Sequence, residues 1–216
     1  MERPFPYRFI AIEGNIGAGK TTLCQQLHRQ FNCRLILEQF ADNPFLPYFY
    51  ENPERYAFSV ELFFMTERHK QLQENLAQGD LFQELIIADY FFLKTLLFAR
   101  NNLSPEEYRL FQRLFHILNA NFPKPDLLVF LHRSVPSLLD NIKKRGREYE
   151  SDISPEYLQT IQHTYFEYFR TDQSQPILII DVEDLNFVTH PEHYELILAA
   201  IQKEYQPGLH RVSFVR

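Results

Sequence analysis

The chain has 216 residues and a formal net charge of −6, from 22 Lys and Arg against 28 Asp and Glu. That length suits one domain with a substantial core, and the acidic balance argues against a broad electrostatic grip on nucleic acid. Phe and Tyr are frequent, yet no apolar run reaches the length of a membrane span, and Met1-Glu2-Arg3-Pro4 opens no signal-peptide core, so a cytoplasmic protein free of membranes is expected. Two cysteines, Cys24 and Cys33, are too few for a disulfide framework and read as reduced, packed thiols. The histidines form no convincing metal set.

In chain order, the first predicted strand is Arg8–Glu13, around the apolar run Phe9-Ile10-Ala11-Ile12. It is followed by Gly14-Asn15-Ile16-Gly17-Ala18-Gly19-Lys20-Thr21 and then by a helical stretch, Thr22–Phe31. Strand, G-x-x-x-x-G-K-[ST] and helix in succession define a phosphate-binding loop. Glycines 14, 17 and 19 let the backbone turn tightly, with N–H groups aimed inward at phosphate oxygens. Lys20 carries a mobile positive charge to the outer phosphates, Thr21 offers a hydroxyl to Mg²⁺, and the helix opening at Thr22 adds its dipole. A nucleoside triphosphate is the expected ligand.

Four further apolar runs read as strands: Arg34–Glu38, Glu84–Asp89, Asp126–His132 and Ile177–Val182. Each has a continuous apolar core, as strands covered on both faces do. Helical segments lie between or after them. Pro53–Gln78 opens at Asn52-Pro53 and stops at Gly79. Ser104-Pro105-Glu106-Glu107 is a capped start to a helix running towards Asn121. Ser134–Arg145, Ser154–Arg170 and Pro191–Tyr205 follow. The alternation predicts an α/β fold with a five-stranded parallel sheet and helices on both faces. No repeat or linker interrupts it, so residues 1–216 read as a single domain. The tail Pro207–Arg216 is open between disorder and an edge strand.

In open parallel sheets, ligands gather beyond the carboxyl ends of the strands. The second and third predicted strands end on acids, Glu38 and Asp89. Asp89, after Ile86-Ile87-Ala88, suits a Walker-B-type role on Mg²⁺. Glu38 suits a general base that accepts a proton from an attacking hydroxyl. Each has a plainer reading, a strand-end carboxylate that caps a helix or pairs with Lys or Arg. The basic run Lys143-Lys144-Arg145-Gly146-Arg147 is either a solvated helix end or, given its place after the fourth strand, a lid over about 143–153 whose arginines close on the phosphates.

These motifs, in this order, closely resemble the deoxynucleoside kinase family of P-loop kinases, above all its bacterial deoxyguanosine and deoxyadenosine kinase branch. The resemblance rests on Glu13–Thr21, Glu38, Asp42-Asn43-Pro44, Tyr50, Phe58–Arg68, Ala88-Asp89-Tyr90, Pro123–Asp126, Lys144–Arg147 and Asp181-Val182, and it extends to about Tyr205. It implies the P-loop nucleoside kinase fold with a helical lid, and transfer of the γ-phosphoryl group of a nucleoside triphosphate to the 5′-hydroxyl of a deoxynucleoside. By resemblance Glu38 is the base, Arg145 and Arg147 clamp the donor phosphates, and Tyr50 and Glu150 hold the sugar 3′-hydroxyl. Arg68 meets the base edge, and the segment Glu183-Asp184-Leu185-Asn186-Phe187 wraps the donor adenine, which makes ATP the implied donor. The family also implies a homodimer joined through helices, with Pro53–Gln78 and Ser104–Asn121 the candidates here.

Two positions depart from the family pattern. Many relatives carry Arg after the third strand's acid; here it is Tyr90, and Lys94 one turn on is a possible substitute. Where most relatives read the base with Gln, this chain has Glu61. Gln offers one donor and one acceptor, whereas an ionised Glu only accepts. Guanine presents N1–H and N2–H₂ as adjacent donors, so Glu61 and Arg68, seven residues apart on one helical face, predict deoxyguanosine as the best acceptor, with deoxyadenosine or deoxyinosine weaker. The alternative is a salt bridge between the two. Phe40, Phe45, Phe63, Phe64, Phe91 and Phe92 read mainly as core, with one or two against the purine. A monophosphate-kinase reading is disfavoured because a carboxylate at 38 would repel a phosphate acceptor. A regulatory nucleotide switch would leave Glu38, Tyr50 and Arg68 without a role.

Overall fold

A computed structural model describes residues 5–38, 43–77, 85–119, 122–172 and 174–214. The strands are β1 (Phe9–Gly14), β2 (Cys33–Ile36), β3 (Leu85–Ala88), β4 (Leu127–His132), β5 (Pro176–Asp181) and β6 (Gly208–Ser213), and the helices α1 (Lys20–Gln30), α2 (Leu46–Glu51), α3 (Pro53–Ala77), α4 (Lys94–Asn102), α5 (Pro105–Asn119), α6 (Val135–Arg145), α7 (Pro155–Thr171) and α8 (Pro191–Ile201). The sheet runs β2-β3-β1-β4-β5-β6 and every pairing is parallel.

Side chains alternate between the two faces of the sheet. From β4, Leu127, Val129 and Leu131 join Leu23, Leu27, Leu138 and Ile197 in one core, built with α1, α6 and α8. Leu128 and Phe130 enter the opposite face, against Tyr165 and Phe169 of α7. Apolar residues on both faces are what made these strands read as continuous runs. The Asp126 carboxylate accepts from the backbone N–H groups of Arg8 and Phe9 at 2.8 and 2.9 Å, which ties the amino ends of β1 and β4.

The sheet has six strands, not the expected five. The tail supplies the extra one: β6 pairs with β5 over Gly208–Ser213, so of the two readings left open for the tail, the edge strand holds. Its residues alternate between covered and exposed positions, and an edge strand in that setting has no continuous apolar run to announce it. β2 and β3 end earlier than expected, leaving Glu38 and Asp89 just past the strands. Two helices were not foreseen. α2 is six residues long, and α4 is buried on most of its surface, Lys94 and Thr95 included, so it lacks the amphipathic period by which helices are recognised. The lid segment is helical only in part. α6 ends at Gly146, which takes a left-handed conformation with φ 68°, and a single 3₁₀ turn, Glu148–Glu150, leads on to α7. Among the described residues no helix is long and apolar enough to cross a membrane. Phe40, Asp42, Gln78, Gly79, Glu84 and Asn121 lie outside the described residues.

Candidate active site

The carboxyl edge of the sheet gathers nearly every residue that the sequence singled out. Gly14 closes β1 and Lys20 opens α1, so the glycine motif spans the turn between them. Gly17 and Gly19 have φ of 83° and 95°, a region that side chains disfavour. Space excludes side chains as well: a Cβ at Gly17 would lie 2.7 Å from the Leu138 carbonyl, and one at Gly19 would lie 2.9 Å from the Phe187 ring. No acid occupies the first turn of α1, which leaves the positive end of its dipole facing the loop. Asn15 fixes the turn by donating to Leu158 O at 2.8 Å and accepting from Ile16 N at 2.8 Å. Asn141 of α6 donates to Gly17 O at 2.9 Å. Ala18 is buried and Ile16 packs against the core.

Lys20 Nζ donates to the Gly14 and Asn15 carbonyls at 2.9 Å each. Burial, then Lys94, lowers its pKa to about 8 against the pull of Glu13, Glu38 and Asp89. Beside the loop lies a cavity of about 890 Å³ lined by Lys20, Thr21, Thr22, Arg145, Arg147 and the loop after β5, including Asp184 and Phe187. Glu183 lines it too, but its carboxylate is already engaged. It accepts from Ser134 N and Oγ at 2.7 Å each and from Ser137 Oγ at 2.5 Å. Against the effect of burial, these bonds hold its pKa below the usual carboxylate range. Glu183 therefore ties the loop to the start of α6. Arg133, which sequence reasoning missed, holds the same loop by donating to Leu185 O at 2.8 Å.

The two strand-end acids meet at the cradle. Asp89 accepts from Thr21 Oγ1 at 2.5 Å and from Glu38 N at 2.6 Å. Burial, and then Glu38, raises its pKa. Thr21 and Asp89 thus bring together a hydroxyl and a carboxylate, two hard oxygen donors of the kind and number that magnesium takes from protein. Among the described residues there is no cluster of three or more His, Cys, Asp or Glu able to hold a metal ion.

Glu38 is buried, with Arg68 Nε donating to Oε1 at 2.7 Å, Arg68 NH2 to the same oxygen, and Lys94 Nζ to Oε2 at 2.6 Å. Burial would raise its pKa, but the two cations hold it down to about 2. Lys94 thus delivers to Glu38 the charge absent at Tyr90. Tyr90 itself is fully buried and donates to Gln71 Oε1 at 2.7 Å, away from the acid.

Next to Glu38 is a slot of about 70 Å³ lined by Tyr50, Glu61, Phe64, Arg68, Arg145 and Glu150 among others, far below the ~300 Å³ of a small-molecule pocket. A clasp narrows it. Arg145 donates through Nε at 3.0 Å and through NH2 to Glu150 Oε2, and Arg147 NH1 donates to Glu150 Oε1 at 3.3 Å. Tyr50 faces Tyr149 with ring centroids 6.5 Å apart and nearly parallel planes.

Glu61 and Arg68 both line this slot, but no hydrogen bond or ion pair joins them, so the alternative reading of a salt bridge between them is not the arrangement found. Arg68 is turned to Glu38 and also donates to Thr95 Oγ1 at 2.9 Å. Glu61 Oε1 instead accepts from Asn102 Nδ2 at 2.6 Å, and its Oε2 is buried without a hydrogen-bond partner among the described residues. Burial raises the Glu61 pKa to about 7, against the opposing effects of Arg68 and the Asn102 bond. Thr95 and Asn102 were not anticipated. The available signal was the spacing of Lys94 and Thr95 from Asn102, eight and seven residues, which puts them along one side of a helix. Of the phenylalanines read as core, Phe64, Phe91 and Phe92 are buried, whereas Phe45 is 37% exposed.

Comparisons with known proteins identify the family. The family model described as deoxynucleoside kinase matches residues 10–205. The chain is 35% identical to the deoxyguanosine kinase of Bacillus subtilis (strain 168), covering 90% of this chain and 96% of that protein. It is 34% identical to the deoxyadenosine kinase of Dictyostelium discoideum, covering 88% and 78%. Among solved structures, the deoxyadenosine kinase of M. mycoides with bound dATP superposes with a TM-score of 0.77 at 25% identity, covering 90% of this chain and 98% of that one. The chain belongs to the deoxynucleoside kinase family, and it is a phosphotransferase.

Proposed function

We propose that this kinase transfers the γ-phosphoryl group of ATP to the 5′-hydroxyl of a purine deoxynucleoside, deoxyguanosine foremost, as a step in nucleotide salvage. The observation that carries the reading is the juxtaposition of Glu38 with the glycine loop: a carboxylate bonded to Lys94 and Arg68, one residue's backbone away from Asp89 and Thr21. Lys20 and the loop N–H groups bind the donor phosphates, and the loop around Asp184 and Phe187 receives the adenine. Thr21 and Asp89 hold Mg²⁺, which when bound neutralises charge on the phosphates.

Glu38 accepts the hydroxyl proton. Its two cations make it a weak base, which a loose transition state tolerates, because the hydroxyl loses its proton late and orientation matters more than basicity. Arg145 and Arg147 leave Glu150 to take the phosphates as the clasp opens, freeing Glu150 and Tyr50 for the 3′-hydroxyl. In the base pocket, Glu61 accepts from guanine N1–H and N2–H₂. Arg68 has five N–H donors, and those not used on Glu38 and Thr95 are left for O6.

The identity with a deoxyguanosine kinase over 96% of its length supports the guanine reading. Exposed Leu110 and Ile117, seven residues apart on α5, give that helix an apolar stripe for the second copy of a cytoplasmic homodimer. Turnover of the four natural deoxynucleosides with ATP tests the function. Deoxyguanosine is expected to lead, and a preference for deoxycytidine or thymidine would reject the reading.

A further inference from the structure

Glu61 is the anomaly of the acceptor slot. It is 2% exposed, one oxygen is held by the neutral Asn102 amide, and the other has no partner among the described residues. Glu38, a buried acid beside the slot, has by contrast a cation on each oxygen. A buried carboxylate oxygen without a donor carries a desolvation cost that either a proton or a ligand N–H can relieve. We propose that the proton on Glu61 selects the purine: the ionised group admits guanine and the protonated group admits adenine. The inference rests on the purine deoxynucleoside kinase reading above.

The chemistry follows from the donor pattern of each base. Ionised Glu61 offers two acceptors, which match N1–H and N2–H₂ of guanine. Against adenine it satisfies N6–H but sets its charge against the N1 lone pair. Protonated Glu61 offers one donor and one acceptor, and so pairs O–H with adenine N1 and C=O with N6–H. Against guanine, its hydroxyl would meet an N–H. In a site where mismatch leaves a buried polar group unpaired, discrimination is large.

The surroundings keep both protonation states within reach. On α3, Arg68 favours the charged form, as does Lys94 from α4. Glu38, past β2, opposes it, and the Tyr157 phenol of α7 lies within 3.3 Å of the same Asn102 amide. Lys20, Arg145, Arg147 and Glu150 line the slot farther round, with Tyr50 of α2. Burial prevails, and the group titrates at about 7 rather than in the ordinary carboxylate range.

The test is the ratio of kcat/KM for deoxyadenosine to that for deoxyguanosine, measured from pH 5.5 to 8.5 on the intact enzyme with ATP. Ionisations that affect both acceptors alike, those of Lys20 or Glu38 for instance, cancel in the ratio. The ratio should fall about tenfold per pH unit, since it follows the protonated to ionised quotient of one group. Glu61→Gln should flatten it and favour deoxyadenosine. Asn102→Leu removes the bond that steadies the charged form and should raise the ratio at every pH. Should the Glu61→Gln protein fail to fold, the ratio of association constants for deoxyadenosine and deoxyguanosine on the unaltered enzyme should show the same slope. A flat ratio with both purines turned over, or a slope that survives Glu61→Gln, overturns the inference alone. Absence of turnover on both purines overturns the kinase reading and the inference with it.

Discussion

Glu61 lines the slot and Glu38 lies beside it, and these two buried glutamates differ in almost everything except their side chain. Glu38 sits between Arg68 and Lys94 and stays ionised down to about pH 2. Glu61 faces an amide and an unpaired direction, and burial lifts it to about 7. Burial opposes ionisation at both sites, so the neighbours decide the outcome. On the roles proposed for them, the carboxylate that orients a hydroxyl is locked in one charge state, while the one that reads a base is left free to change.

The most severe way to break this contrast is Glu38→Gln. It keeps the shape but removes the proton acceptor, and turnover should drop by about 10²–10⁴-fold while ATP affinity, measured separately by equilibrium binding, stays nearly intact. Equal losses in both would mark Glu38 as structural. Next is Lys94→Met, which leaves Glu38 with Arg68 alone. Breaking a buried pair costs roughly 3–5 kcal/mol, read by denaturant unfolding, and kcat should fall at least about tenfold. Unchanged turnover would remove Lys94 from the proposed machinery.

Stability against pH sharpens the comparison further, because the two acids have opposite signs. Glu38, depressed in the fold, contributes stability that is complete above its unfolded pKa near 4.5 and is lost as pH falls through about 2. Glu61, raised in the fold, binds its proton more tightly when folded, so stability declines as pH rises from about 4.5 through about 7. Glu61→Gln should therefore gain on the parent protein between pH 5 and pH 8, by on the order of 2 kcal/mol. No change in that difference would contradict the environment described for Glu61. The smallest effect is expected of Tyr90→Phe. It deletes one hydrogen bond to Gln71, costs about 1 kcal/mol, and should leave turnover untouched, separating the packed tyrosine from the lysine that serves the site.

What could be read in the sequence was whatever the chain specifies locally. The loop Gly14–Thr21 needs glycines where φ is positive, and those positions are visible as letters. Glu38 and Asp89 were legible because apolar runs ended on them. Partners were not. Nothing between residues 61 and 68 tells that Arg68 turns to Glu38 while Glu61 takes Asn102, since both choices depend on where α4 packs. α4 itself is buried on most of its surface and shows little amphipathic period, and β6 was legible only as one of two readings of the tail because a half-covered edge needs few apolar residues. Lys94 was reached by comparison with the family pattern, through the Arg missing at Tyr90, rather than from periodicity.

α4 joins the two acids mechanically. Lys94 at its first turn touches Glu38, and Asn102 at its last touches Glu61, about 12 Å apart along the axis at ~1.5 Å per residue. On the proposed roles, a substitution that reseats this helix to favour another base would also move the ammonium bonded to Glu38. Retuning substrate choice through this helix would therefore sacrifice rate, and variants that alter Glu61 alone are the cleaner route for engineering.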